Sequence, residues 1–133
     1  METEPVRADV EPGGQGQGGS DPGPIVIAVS SSGMGRGDDE LGEVLVRSYL
    51  HTLTEIEPQP DVLIFLNSGV RLVVEGSAAL EDLQALTGRG VRILACGTCL
   101  GHFNLKDQVT VGEISNMYAI SETMISAGRL INL

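Results

Sequence analysis

Tryptophan is absent from this chain, and two tyrosines and two phenylalanines are the only aromatic residues among 133. A core with so few rings must be built from Val, Ile and Leu, as in sheets covered by helices on both faces. Positive charge is also scarce. Eight Lys and Arg against 18 Asp and Glu leave a net charge of −10. Proteins that grip DNA or RNA neutralise phosphates with Lys and Arg, so no nucleic-acid partner is expected. An anionic membrane surface is disfavoured for the same reason. No apolar run approaches the ~20 residues of a membrane span, and the N-terminus lacks the charged-then-apolar order of a signal peptide. The expected location is cytoplasmic. Cysteine is reduced to Cys96 and Cys99. In a reducing compartment such a pair points to catalysis, redox exchange or metal binding rather than a structural staple.

What is present divides in two. Residues 1–24 hold four of the six prolines, and six glycines crowd into Gly13–Gly23. This segment has too little apolar surface to offset its ordering entropy, and is expected to be a disordered leader or linker. Residues 25–133 are expected to form one domain, long enough to bury a core.

Strand-like and helix-like stretches alternate through that domain. Strands are expected at Ile25–Ser30, Val62–Leu66, Val91–Ala95, Gln108–Val111 and Arg129–Leu133. Helices are expected from Asp38 or Asp39 to about Glu55, over Glu75–Thr87, and over Asn116–Ala127 with Asn116 as cap. Repeated strand–helix units predict a three-layer α/β/α fold around a mostly parallel five-stranded sheet. Ligands in such folds sit beyond the carboxyl ends of the strands. Three loops leave those ends: Ser30–Gly37, Asn67–Val70 and Cys96–Leu100.

The third loop carries the strongest chemistry. Cys96-Gly97-Thr98-Cys99-Leu100 follows a buried strand and opens a helix, where free N–H groups and the helix dipole favour thiolate. On that ground Cys96, at the strand end, is expected to react before Cys99. The first loop, with Ser32, Gly33 and Arg36, is a flexible turn that could also cradle an anion. Its glycines at 33, 35 and 37 match neither a Walker motif nor Gly-x-Gly-x-x-Gly. Asn67 and Ser68 are expected as a helix start, Ser68 capping it, and as a wall of the same cleft. Gly97 and Thr98 would line the cleft beside the thiols.

Taken in order, GDDELG (Gly37–Gly42), FLNSGVRL (Phe65–Leu72), EGS (Glu75–Ser77), CGTCL (Cys96–Leu100) and GEISNMY (Gly112–Tyr118) resemble the C-terminal domain family of YedF. That family is a selenium-metabolism branch of the DsrE/DsrF-like sulfur carriers. The resemblance spans about residues 25–133. It implies a DsrE-like fold, a cysteine that carries persulfide after a central strand, homo-oligomers, and a sulfur or selenium donor or acceptor protein as partner. The TusA-like domain that usually precedes it carries a Cys-Pro motif; residues 1–24 hold no cysteine, so that thiol is expected from elsewhere and a TusA-like protein is a candidate partner.

Three chemistries compete for the cysteine pair. As a persulfide or perselenide carrier, Cys96 would take sulfur from a donor and Cys99 could release it as a disulfide. As a dithiol redox pair, the two would cycle between thiols and disulfide. As a metal site, Cys96, Cys99 and His102 offer three ligands, with no evident fourth, so no metal is expected. No cofactor motif is present. A non-covalent binding module built on the first two loops is a fourth reading, and inert packing of the cysteines a fifth.

Overall fold

The computed structural model describes residues 23–133. The leader expected over 1–24 lies outside them apart from Gly23 and Pro24. Three strands run through the middle of the sheet: β1 (Ile25–Val29), β2 (Val62–Phe65) and β3 (Arg92–Cys96). Their sequences, IVIAV, VLIF and, after the exposed Arg92, ILAC, are continuous apolar runs because both faces of a central parallel strand are covered. The short strands β4 (Glu113–Ser115) and β5 (Arg129–Asn132) form the edges and are largely exposed. The order is β4-β3-β2-β1-β5, with every neighbouring pair parallel.

Chain direction decides where the helices lie. From β1 to β4 each crossover steps the same way across the sheet, and from β4 to β5 the chain returns across all of it. With right-handed crossovers the first three connections cover one face and the last covers the other. Helix α1 (Asp39–Leu53) and helix α2 (Leu80–Gly88) therefore sit side by side. The His51 ring meets Asp82 at 3.0 Å between them. Helix α3 (Gly97–His102) follows β3, and α4 (Met117–Ile125) makes the return. Phe65, Leu63, Ile64, Leu83, Leu86, Leu94, Leu100 and Ile120 are fully buried between these layers. Removing each large side chain from water contributes roughly 1.5–3 kcal/mol.

Caps set the helix starts. The Asp38 side chain accepts from the Leu41 N–H at 2.7 Å, and Asn116 accepts from Ala119 at 2.9 Å. Two elements depart from the expected pattern. The second helix begins at Leu80, not Glu75, because Gly76 adopts φ +91° and Ser77 turns the chain, its Oγ accepting from the Ala79 N–H. The expected strand over Gln108–Val111 does not join the sheet. Its backbone pairs with residues 73–75, through Glu75 N–H to Gln108 and Thr110 N–H to Val73, with one antiparallel bridge between Val74 and Val109. The fourth strand forms beyond Gly112, whose φ of +86° redirects the chain.

Between β2 and α2 the chain takes a 3-10 helix, Asn67–Val73. Ser68 does not cap it. Gly69 is buried where this helix crosses the end of β1, and a Cβ there would collide with the Val29 carbonyl oxygen. Gly69→Ala is expected to cost about 1–3 kcal/mol, the range for forced overpacking. Urea denaturation checks this, and a loss under about 0.5 kcal/mol, typical of neutral surface changes, would contradict the close approach.

Candidate functional site

The three loops beyond β1, β2 and β3 are joined by two hydrogen bonds. The Ser32 N–H donates to Ser68 Oγ at 3.1 Å, tying the first loop to the second. The Asn67 N–H donates to Cys99 Sγ at 3.0 Å, tying the second to the third. Asn67 can aim its amide this way because it sits at φ 50°, a left-handed conformation that Asn tolerates better than most residues.

Cys96 and Cys99 occupy different environments. Cys96 is the last residue of β3 and only 1% exposed. Its Sγ caps α3, accepting from the Cys99 N–H at 3.4 Å. Cys99 lies one turn further on, half-buried, and lines an open cavity of about 330 Å³ with Asn67, Thr98, His102 and Phe103. The expected order of access is therefore reversed. A central strand covered on both faces carries its last side chain into the core, so the thiol open to a partner is Cys99.

The electrostatics also differ from expectation. The Cys99 thiol is pushed above its ordinary pKa, first by burial and then by its hydrogen bond to the Cys96 thiol, while the Asn67 amide pulls it back down. Helix α3 has only six residues. The Cys99 N–H at its start also pulls the thiol down, but burial outweighs both amides.

Of the other expected residues, Thr98 and Asn67 line the cysteine cavity. Gly97 does not. It is half-buried against β4, where a Cβ would press on the Ser115 carbonyl and Ile114. Ser32, Gly33 and Ser68 line a separate cavity of about 300 Å³ with Asp38, Asp39 and Glu43. Three carboxylates give this cavity a field that opposes an anion, which weighs against the alternative of an anion cradle. Arg36 is exposed and lies outside that lining. Among the described residues no group of three or more His, Cys, Asp or Glu is placed to hold a metal ion.

Two residues of the site were missed by the sequence reading. Phe103 forms a wall of the cysteine cavity, and the Arg71 guanidinium stacks over its ring at 4.5 Å. His102 meets the same ring edge-on, with centroids 5.0 Å apart. Phe103 stands four residues after Cys99, a spacing that places both on one helical face. That spacing was the available signal. Nothing in the sequence placed Arg71 there.

A cysteine-lined cavity at the carboxyl ends of a parallel sheet fits a protein that handles sulfur. The family model described as the DsrE/DsrF-like family matches residues 25–133, and the chain belongs to that family, which is linked to sulfur relay. The fold is similar to that of the ychN protein from E. coli, with a TM-score of 0.65 at 18% identity, covering 84% of this chain and 99% of that one. It is also similar to MTH1491 from Methanobacterium thermoautotrophicum, a protein of unknown function. There the TM-score is 0.60 at 23% identity, over 82% of this chain and 97% of the other. A search of the curated proteins finds no match. Among the described residues no helix is long and apolar enough to cross a membrane.

Iodoacetamide is expected to modify Cys99 before Cys96 in the reduced protein, as read by peptide mapping. Only the thiolate reacts, and burial raises the Cys99 pKa. The Cys99 rate should therefore climb with pH through a midpoint above that of a free cysteine. Faster labelling of Cys96, or a Cys99 midpoint below the free value, would contradict the geometry.

Proposed function

We propose that the protein is a persulfide or perselenide carrier in a sulfurtransferase-like relay, with Cys99 as the residue that holds the transferred atom. The observation that carries this reading is the Cys99 sulfur at the wall of an open cavity, fixed by the Asn67 amide at 3.0 Å. A carrier needs one sulfur that a partner protein can reach and a fixed backbone donor beside it. The family's link to sulfur relay supports the same conclusion. So does the motif resemblance to the YedF C-terminal domain family, which extends the cargo to selenium and makes a TusA-like protein the natural donor or acceptor.

Protonation suits this role. A resting thiol that burial keeps protonated is a poor target for stray electrophiles. A terminal persulfide sulfur is a stronger acid and stands one bond further out, in the cavity and away from the desolvating core. The Arg71 guanidinium, stacked on Phe103, gives that wall a positive charge suited to the persulfide anion.

The test is incubation with a cysteine desulfurase and cysteine, followed by intact mass and peptide mapping. The expected product is an adduct of about 32 Da on Cys99, absent from Cys99→Ser. No adduct on either cysteine under any sulfane donor would refute the carrier reading.

In this reading the protein works in the cytoplasm as a homo-oligomer. Met117, Tyr118 and Ile125 on α4, with Ile114 and Leu130 on the edge strands, are exposed, Tyr118 at 79% and Ile125 at 84%. A second copy is the simplest cover for such side chains. Light scattering should give a mass above one chain, falling toward one chain in Ile125→Glu. A monomer at micromolar concentration would remove the oligomer from the reading.

A further inference from the structure

Cys96 is buried, yet it is placed to act. Its sulfur faces the first turn of α3, where it accepts the Cys99 N–H at 3.4 Å. The Cys96 thiol is also close enough to help raise the Cys99 pKa. Residues three apart across a first helical turn have Cα atoms within the span of a disulfide. The cavity that Cys99 lines with Asn67, Thr98, His102 and Phe103 does not include Cys96. An extra sulfur on Cys99 has room in that cavity, away from Cys96. Cys96 then faces the inner sulfur, Sγ, and not the outer one.

We infer that Cys96 is an internal resolving thiol that discharges the Cys99 persulfide as hydrogen sulfide, giving the protein a sulfide-releasing activity besides transfer to a partner. This rests on Cys99 being the carrier. The Cys96 sulfur attacks Cys99 Sγ, a Cys96–Cys99 disulfide bond forms, and the bond from Sγ to the outer sulfur breaks. The electron pair leaves on the outer sulfur as hydrosulfide, which takes up the proton lost by Cys96. The balance is thiol plus persulfide giving disulfide plus hydrogen sulfide. The sulfane sulfur is the oxidant and is itself reduced. A dithiol reductant then restores the two thiols for another cycle. Hydrosulfide is the better leaving group because its acid is stronger than a cysteine thiol, and low leaving-group pKa speeds thiol exchange. Holding attacker and target in one turn makes the step intramolecular. The cargo therefore has a limited lifetime: a docked acceptor takes the outer sulfur first, or Cys96 expels it.

The test loads the full chain with inorganic polysulfide under anaerobic conditions, removes excess donor, and follows intact mass, free sulfide and the 96–99 peptides. In the wild type the adduct of about 32 Da is expected to decay to a species about 2 Da lighter than the reduced protein. One sulfide should appear per chain, at a rate independent of protein concentration. In Cys96→Ala the adduct should stay on Cys99 and decay more slowly, by roughly tenfold or more. The wild-type disulfide and sulfide stoichiometry decide the matter even if the variant fails to fold. A wild-type adduct as long-lived as the variant's would overturn the inference while leaving the carrier reading standing. Decay proportional to protein concentration would overturn it too, since the attack would then come from a second chain. If neither protein forms an adduct and the wild type yields neither sulfide nor disulfide, the carrier reading fails and the inference with it.

Discussion

The amide of Asn67 reaches the sulfur of Cys99 only because a chain of close approaches holds it there. The 3-10 helix Asn67–Val73 crosses the end of β1 at Gly69, where no side chain fits over the Val29 carbonyl. The same carbonyl accepts the Leu66 N–H at 3.0 Å, which ends β2 level with β1. Asn67 then turns through a left-handed conformation, and its N–H emerges facing α3. The site geometry thus depends on backbone packing between two strands that contain neither cysteine. Tight interiors transmit small shifts rather than absorbing them, so a change at Gly69 reaches the Cys99 sulfur without touching it.

Charge is distributed to match. The protein is strongly acidic, yet the carboxylates near the strand ends gather on the Ser31–Glu43 side, around the cavity shared by Asp38, Asp39 and Glu43. The cysteine cavity has the Phe103 and His102 rings in its wall, and Arg71, stacked on Phe103, itself lines a neighbouring cavity with Ser32 and Glu43. Two other cations are occupied structurally: Arg92 grips Glu113 across β3 and β4, and Arg89 donates to the Thr54 carbonyl. An anionic sulfur species therefore meets three carboxylates in one cavity and none in the lining of the cysteine cavity, and Coulomb's law favours the latter.

Most of the fold was legible in the sequence because its central strands are apolar runs dominated by Val, Ile and Leu. IVIAV, VLIF and RILAC could be nothing shallower than buried parallel strands. The error at Gln108–Val111 has a local cause. Alternation of Val109 and Val111 fits any pairing partner, and the partner taken was residues 73–75, which are distant in sequence. The site was less legible. Cys96 and Cys99 stood out by rarity, but their order of access depends on where β3 ends. The strand runs one residue further than its apolar pattern, so Cys96 belongs to the strand and not to the loop. The Ser32 loop looked suited to anions from its glycines, and only the folded position of Glu43, a turn along α1, shows a cavity lined by acids.

That extra strand residue determines the chemistry available to the pair. A side chain at the last position of a central strand faces packed atoms on either side of the sheet, whichever way it points. Gly97 follows, pressed against β4 and unable to carry a functional group. Thr98 is exposed but is no sulfur ligand. Cys99 is therefore the first thiol that the chain presents to the cavity, and its position is set by one turn of helix from a sulfur that no partner protein can touch. Sulfur entering from outside meets Cys99, and Cys96 can act only after it. The order of the two steps is built into the backbone, because a buried thiol paired with an accessible one allows reaction in one sequence and blocks the other.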